Sequence, residues 1–240
     1  AVASSVDATA RAIDDRQGSG AGGAWLQETN VYGRRDGSAD LPGYKISGFN
    51  LVGGYEFADR GLGAWGATIA GGSLEVKDDG ASAAETLSVN RAEAGGYWRW
   101  VHGPLSINAR LAATYLDVSS HRAIFIRDDA DNLVAQKTAD AGWSGWGVNG
   151  RVSAAYEGHI GGAYARPVAA IDYLRLEEGG YTERNGGDAV DLHVSARQSS
   201  RSTGFAGLVT GTRFGDQDGW WGPEMILGYR EIGAAEVGST

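Results

Sequence analysis

Residues 104–118 read PLSINARLAATYLDV. Leu105, Ile107, Ala109, Leu111, Ala113 and Tyr115 alternate with Ser106, Asn108, Arg110, Ala112 and Thr114. Period-two spacing of this kind predicts a strand with one apolar face and one mainly polar face. The same alternation recurs from about residue 24 onward and predicts strands near 24–35, 44–57, 62–76, 86–101, 104–119, 143–158, 162–175, 190–214 and 219–231. In the fourth, Ala92, Ala94, Gly96, Trp98 and Trp100 stand opposite Arg91, Glu93, Tyr97 and Arg99. The sixth sets Trp146, Val148, Gly150, Val152, Ala154 and Tyr156 against Asn149, Arg151, Ser153 and Glu157. The seventh sets Ala165, Pro167, Ala169, Ile171 and Tyr173 against Arg166 and Asp172, and the ninth sets Pro223, Met225, Leu227 and Tyr229 against Glu224 and Arg230. Charges of both signs therefore share one face of several strands.

The connections alternate in length. DGSADLPG, KDDGASAAE, the segment 119–142 and EEGGYTERNGGDA are long, whereas ADRG, HGP, GHIGG and GDQDG are short. Long loops on one side and tight turns on the other are expected of an up-and-down meander that crosses a membrane. Segment 119–142 holds two β-rich runs, AIFI and NLVA, around DDAD, and reads as a hairpin that extends strands five and six beyond the bilayer.

Parity alone also fits a water-soluble sandwich. The aromatic residues decide the solvent: Trp98, Trp100, Tyr115, Tyr156, Tyr173 and Tyr229 stand at the ends of apolar rows, where an interfacial girdle belongs. An arginine at mid-strand facing lipid would cost about 2–4 kcal/mol, whereas in a wet lumen it pairs with a neighbouring carboxylate. The predicted fold is all-β, a transmembrane up-and-down antiparallel barrel with a polar interior. Arg91, Glu93, Arg99, Asn108, Arg110, Asn149, Arg151, Glu157, Arg166, Asp172, Glu224 and Arg230 are expected to line the pore. Leu111 and Val152 should then face out, and Arg110 and Arg151 in.

Ahead of the strands, AVASSVDATARAIDD places Val2, Val6, Ala10 and Ile13 at roughly helical spacing, and QGSGAGG follows as a linker. Residues 1–22 are thus expected to form a helix and linker, and 23–240 one barrel domain. The opening residues lack the basic start and apolar core of a secretory leader, so an exported form would have lost its leader or carry it upstream.

Composition supports strands: the 240 residues include 39 Gly, 8 Trp and 10 Tyr but 4 Pro, 1 Met and no Cys. A formal charge of −9 argues against nucleic acid as a partner. No apolar run approaches the roughly 20 residues of a membrane helix, which leaves a barrel open.

The candidate chemistry is thin. Without cysteine there is no thiolate zinc site, and His102 and His159 fall on the short-turn side while His121 and His193 fall on the other. Asp191 and His193, on one predicted strand face, imitate half of an outer-membrane protease site but lack a second acidic pair. GLGAWG and AGGSLEVK are not followed by a helix, so neither reads as a phosphate loop. Asp78, Asp79, Asp128, Asp129 and Asp131 read as solvated loop ends, and Glu93, Glu157, Asp172 and Glu224 as partners of the inward arginines. No catalytic residue, metal or cofactor is expected.

GAWLQETNVYGRRDG, YKISGFNLVGGYEFADRGLGAWGATIAGG, AEAGGYWRW and NARLAATYLDVSSHR, followed by RPVAAIDYLRLEEGGY and WWGPEMILGYRE, resemble in order and spacing the β-barrel translocator domain of autotransporters, the type V secretion proteins. The resemblance covers the chain from about Gly23. It implies a twelve-stranded barrel in the bacterial outer membrane, an N-terminal helix threading its lumen, and a linked, exported passenger. The barrel insertion machinery and outer-membrane lipid would be its partners. Against that pattern about nine strands are visible and the sequence stops at EVGST rather than at an aromatic terminal strand, so a C-terminal truncation of roughly three strands is expected. The linker DDRQGSGAGG has no asparagine at which members of the family release their passenger. The other readings are an outer-membrane barrel hydrolase and a passive porin or adhesin barrel.

Overall fold

A computed structural model describes residues 6, 9, 22–37, 43–57, 61–79, 85–212, 214–215 and 220–239. The alternating segments become nine main strands: β1 Gly23–Arg35, β2 Gly43–Phe57, β3 Ala64–Asp79, β4 Glu85–His102, β5 Leu105–Arg127, β6 Leu133–Tyr156, β7 Ala163–Glu178, β8 Arg197–Thr212 and β9 Glu224–Ser239. Each pairs antiparallel with its neighbours in sequence, giving one meander in the order β1 to β9. The hairpin of β5 and β6 is the longest, pairing continuously from Leu105 with Tyr156 to Ile126 with Ala135. Asp128 closes its tip by accepting the amides of Ala130 (3.0 Å) and Asn132 (2.8 Å), and Asp131 turns there with a φ of 63°.

The sheet is curled. Val6 and Thr9 lie less than one helical turn apart in sequence, yet Thr9 bonds to β2 and β4 while Val6 packs beside Arg201 and Thr203 of β8. In a flat sheet, β2 and β8 would stand about 29 Å apart at the usual strand spacing. Strands must therefore wrap around these two residues, with one face concave.

Parity assigns the faces as expected. Leu111 is 64 % exposed, Val152 55 % and Ile171 69 % on the convex side, whereas Arg110 on the concave side is 7 % exposed. Ser106, Asn108, Arg110, Ala112 and Thr114 of β5 are all buried.

Two expectations need correction. The interior is not polar throughout: towards the long-loop end Leu74, Val89, Leu116, Val118 and Trp143 form a buried apolar cluster on the concave face. The inward row of β5 simply continues past Thr114 into Leu116 and Val118, and these stay dry because the connection 179–196 folds over them, its Tyr181 stacked on Trp143 with ring centroids 4.2 Å apart. Secondly, 190–214 is not one strand. Asp191 accepts the amides of Gly186 (2.9 Å) and Gly187 (3.2 Å), which turns the chain, and His193–Val194 pairs only with Tyr181–Thr182 before β8 begins at Arg197.

The glycines on the concave face have a packing purpose. Glu56 of β2 is in register with Gly66 of β3, which is in register with Tyr97 of β4; Asn50, Gly72 and Arg91 repeat the pattern. A glycine on the middle strand lets two large side chains meet across it. A Cβ at Gly66 would lie 2.2 Å from carbons of the Tyr97 ring, and that ring is held by a hydroxyl bond to Glu56 (3.1 Å). Gly66→Ala is expected to destabilise the fold by about 1–3 kcal/mol through overpacking, measured as a lower urea midpoint, with Tyr97→Phe in the same background failing to restore it.

Candidate functional site

The concave face carries the polar groups that parity gathered, arranged in clusters along the strands. Near the short-turn end, Arg99 on β4 donates to Glu56 Oε1 (2.6 Å), the Tyr97 hydroxyl donates to Glu56 Oε2, and Trp25 Nε1 donates to Tyr97 (3.3 Å). At mid-height Glu93 is the hub. Its carboxylate accepts from Arg110 and Arg91 (3.4 Å), from the Thr114 hydroxyl (3.1 Å) and from Asn149 Nδ2 (3.0 Å). Arg110 also donates to Asn149 Oδ1 (2.8 Å), and Arg91 to Asn50 Oδ1 (2.8 Å) and Thr9 Oγ1 (2.9 Å). Alongside, Arg151 donates to both oxygens of Asp172 (2.8 and 3.1 Å). Paired in this way, the charged ends of these side chains stay inside at a reduced cost, because carboxylate and amide partners replace much of their hydration, although Nε of Arg91 and of Arg110 is buried without a hydrogen bond.

The remaining expected lining residues are placed differently. Asn108 is buried, with its Oδ1 lacking a protein partner. Arg166, half-buried at the short-turn rim, lies 3.5 Å from both Glu157 and Glu224, and Tyr164 donates to Glu224. Arg230 stands with its guanidinium 5.9 Å from the centre of the Phe205 ring and is exposed on the edge strand β9. Of the six aromatics, Tyr115, Tyr156, Tyr173 and Tyr229 are exposed on the convex face, while Trp98 and Trp100 are half-buried, Trp98 donating to the Leu62 carbonyl (2.8 Å). Tyr55, Phe57, Trp65 and Trp146 share that face.

Sequence reasoning missed Glu56, Asn50 and Thr9. The signal for the first two existed, since Asn50, Val52, Gly54 and Glu56 form one parity row opposite Leu51, Tyr55 and Phe57. Thr9 carries no such mark. Asp191 and His193 do not form a dyad: Asp191 caps two glycine amides and His193 Nδ1 meets the Thr182 hydroxyl at 2.8 Å. His121 pairs with Asp140 (2.6 Å) and His159 with Glu157 (3.2 Å). Among the described residues no three or more His, Cys, Asp or Glu side chains are grouped to hold a metal.

The long connection 179–196 is tied to the strands by charge. Arg122 of β5 donates to both oxygens of Glu183 and to the Val190 carbonyl (3.0 Å), and the Leu192 amide donates to Glu183 (2.9 Å). The Arg122 bond holds the Glu183 carboxyl below the usual carboxylate range. A depressed folded value contributes stability that is present above the unfolded carboxylate pKa and lost as pH falls through the folded one. Amide exchange in 179–196 is therefore expected to rise as pH drops below about 4.5, after correction for intrinsic exchange. Glu183→Gln should raise it about tenfold at neutral pH.

A curled antiparallel meander with apolar side chains outside and paired charges inside defines an outer-membrane β-barrel. No curated protein is similar enough in sequence to match this chain. Residues 24–234 match the family model described as autotransporter beta-domain, and the chain belongs to that family. It is an outer-membrane translocator barrel of type V secretion, from the Gram-negative cell envelope, and its fold is that of autotransporter β-barrels. Among solved structures it is similar to the β domain of the Bordetella autotransporter BrkA, with 18 % identity and a TM-score of 0.61 over 88 % of this chain and 79 % of that one. It is also similar to the translocator domain of the autotransporter NalP from Neisseria meningitidis, with 11 % identity and a TM-score of 0.63 over 93 % and 81 %.

Proposed function

We propose that the concave face is the wall of the export path and that residues 1–22 are its luminal segment and linker, joined to a passenger ahead of the 23–240 barrel domain. The observation that carries this reading is the burial of Val6 and Thr9 against the concave face, Thr9 at 0 % exposure and bonded to Asn50 and Arg91. In this reading Arg91, Glu93, Arg99, Asn108, Arg110, Asn149, Arg151, Glu157, Arg166, Asp172, Glu224 and Arg230 keep the path hydrated and paired. Trp98, Trp100, Tyr115, Tyr156, Tyr173 and Tyr229 meet lipid headgroups at the two interfaces. The short turns face the periplasm and the β5 and β6 hairpin projects outside. The insertion machinery is the partner during assembly.

The barrel acts passively in this reading. The acids that would do chemistry are engaged in other work, Glu93 with four donors and Asp191 with two amides. The absence of native cysteine makes the test direct. Fluorophores on single cysteines at Leu111 and Val152 should be quenched by brominated lipid, and those at Ala112 and Ser153 should not. Equal quenching at both pairs would refute the assignment of the path.

A further inference from the structure

Thr9 sits where a chain passing along the concave face would have to leave an acceptor. Its hydroxyl oxygen takes one bond from Asn50 Nδ2 (3.0 Å) and one from Arg91 Nη2 (2.9 Å), and those two side chains are joined by a further bond of 2.8 Å. Arg91 is itself tethered to Glu93, whose other donors come from β5 and β6, so the clasp is anchored across several strands. All of Asn50, Arg91, Glu93 and Thr9 are buried, and Asn50 and Thr9 are at 0 % exposure. Three residues earlier, Val6 lies beside Leu174, Thr203 and Gly150, in a pocket that Arg151, Asp172 and Arg201 also line. The cavity left there is about 10 Å³, the space of one water.

We infer that Asn50 and Arg91 form a clasp that reads one hydroxyl on the N-terminal segment, and that Thr9 in this clasp sets the register at which the segment comes to rest in the barrel. The inference rests on the luminal reading above and adds the residue that fixes the stopping point. Its reason is the cost of any other register. Buried donors of Arg91 and Asn50 need an acceptor, and without one each carries an unmet desolvation penalty. Sliding the segment by three residues would bring Val6 or Ala12 to the clasp, and sliding it by four would bring Ser5 or Ile13. Of these, Ser5 alone offers a hydroxyl, and it brings Val2 to the seat of Val6. The sequence therefore holds one competing register, about 6 Å away along a helix, in which Ser5 would stand in the clasp in place of Thr9.

The test uses paired cysteines in the otherwise cysteine-free chain, joined in outer membranes by a short thiol-specific linker. Val6→Cys with Thr203→Cys should link efficiently in the parent, and Val2→Cys with Thr203→Cys poorly. Adding Thr9→Val, close in shape but without the acceptor, should lower the first yield about tenfold and raise the second; Thr9→Ser should leave both unchanged. Asn50→Leu, which alters the barrel side of the clasp, should reproduce the Thr9→Val result. Heat-modifiable gel mobility of each variant checks that the barrel has formed. If Thr9→Val and Asn50→Leu both keep the parent yield between 6 and 203, the clasp does not set the register and the inference is overturned, while the luminal seating stands. If the parent with Thr9 intact gives no link between 6 and 203, the seating itself is wrong and the clasp falls with it.

Discussion

Replacing Glu93 with leucine is expected to abolish folding of the barrel, or to lower its stability by about 3–5 kcal/mol where folding survives. The guanidinium groups of Arg91 and Arg110 both bond to this one carboxylate, whose side chain is 1 % exposed, and Asn149 and Thr114 are turned toward it. Removing the anion leaves two buried cations facing each other without their shared counter-charge. Removing both arginines together with Glu93, by Met or Leu of similar volume, should cost far less, because a buried ion pair is dear to break but not to exchange for apolar packing. Glu93→Gln keeps the shape and an acceptor oxygen and should fall between the two. Urea midpoints followed by heat-modifiable gel mobility would rank the three. Equal stability of Glu93→Leu and the parent would show that the mid-height network is ornamental.

The convex face gives the second large effect. Leu111→Arg and Val152→Arg, which put a cation on adjacent convex strands of the apolar belt, are each expected to cost about 2–4 kcal/mol in lipid. The same arginine in place of Gln136, exposed near the tip of the β5 and β6 hairpin, should cost little in lipid because that position is expected to lie beyond the belt. Refolding yield into vesicles of fixed composition measures the difference, and the contrast between sites is more informative than either value. A penalty that is the same at Gln136 and Leu111 would mean that the convex face does not meet a hydrocarbon layer.

Both effects depend on which side of the sheet a residue occupies, and this much was readable from alternation. Arg110 and Arg151 on one parity and Leu111 and Val152 on the other need no tertiary information, because successive side chains of a strand point to opposite faces. The same holds for Arg91, Glu93, Arg99 and Asp172, all of which lie inside. Loop alternation likewise foretold the meander order and the extended hairpin of β5 and β6.

What alternation lacks is the partner of each inward group. Arg99 pairs with Glu56 two strands away, and Arg91 reaches Asn50 two strands away over Gly72 on the strand between. Such contacts arise from the curvature of a narrow sheet, and no spacing along the chain encodes curvature. The dry cluster of Leu74, Val89, Leu116, Val118 and Trp143 is equally tertiary: those residues share the parity of the lumen, and they become a core only because 179–196 folds over them. Thr9 marks the limit most clearly. By sequence it is one small residue in a run of small residues, and its bonds to Asn50 and Arg91 exist because the sheet curls round it. The sequence by itself determined side and order, since both follow from local stereochemistry and chain connectivity. Tertiary structure alone decided which charges meet and where the interior is dry, since both depend on how far strands distant in the chain are brought together.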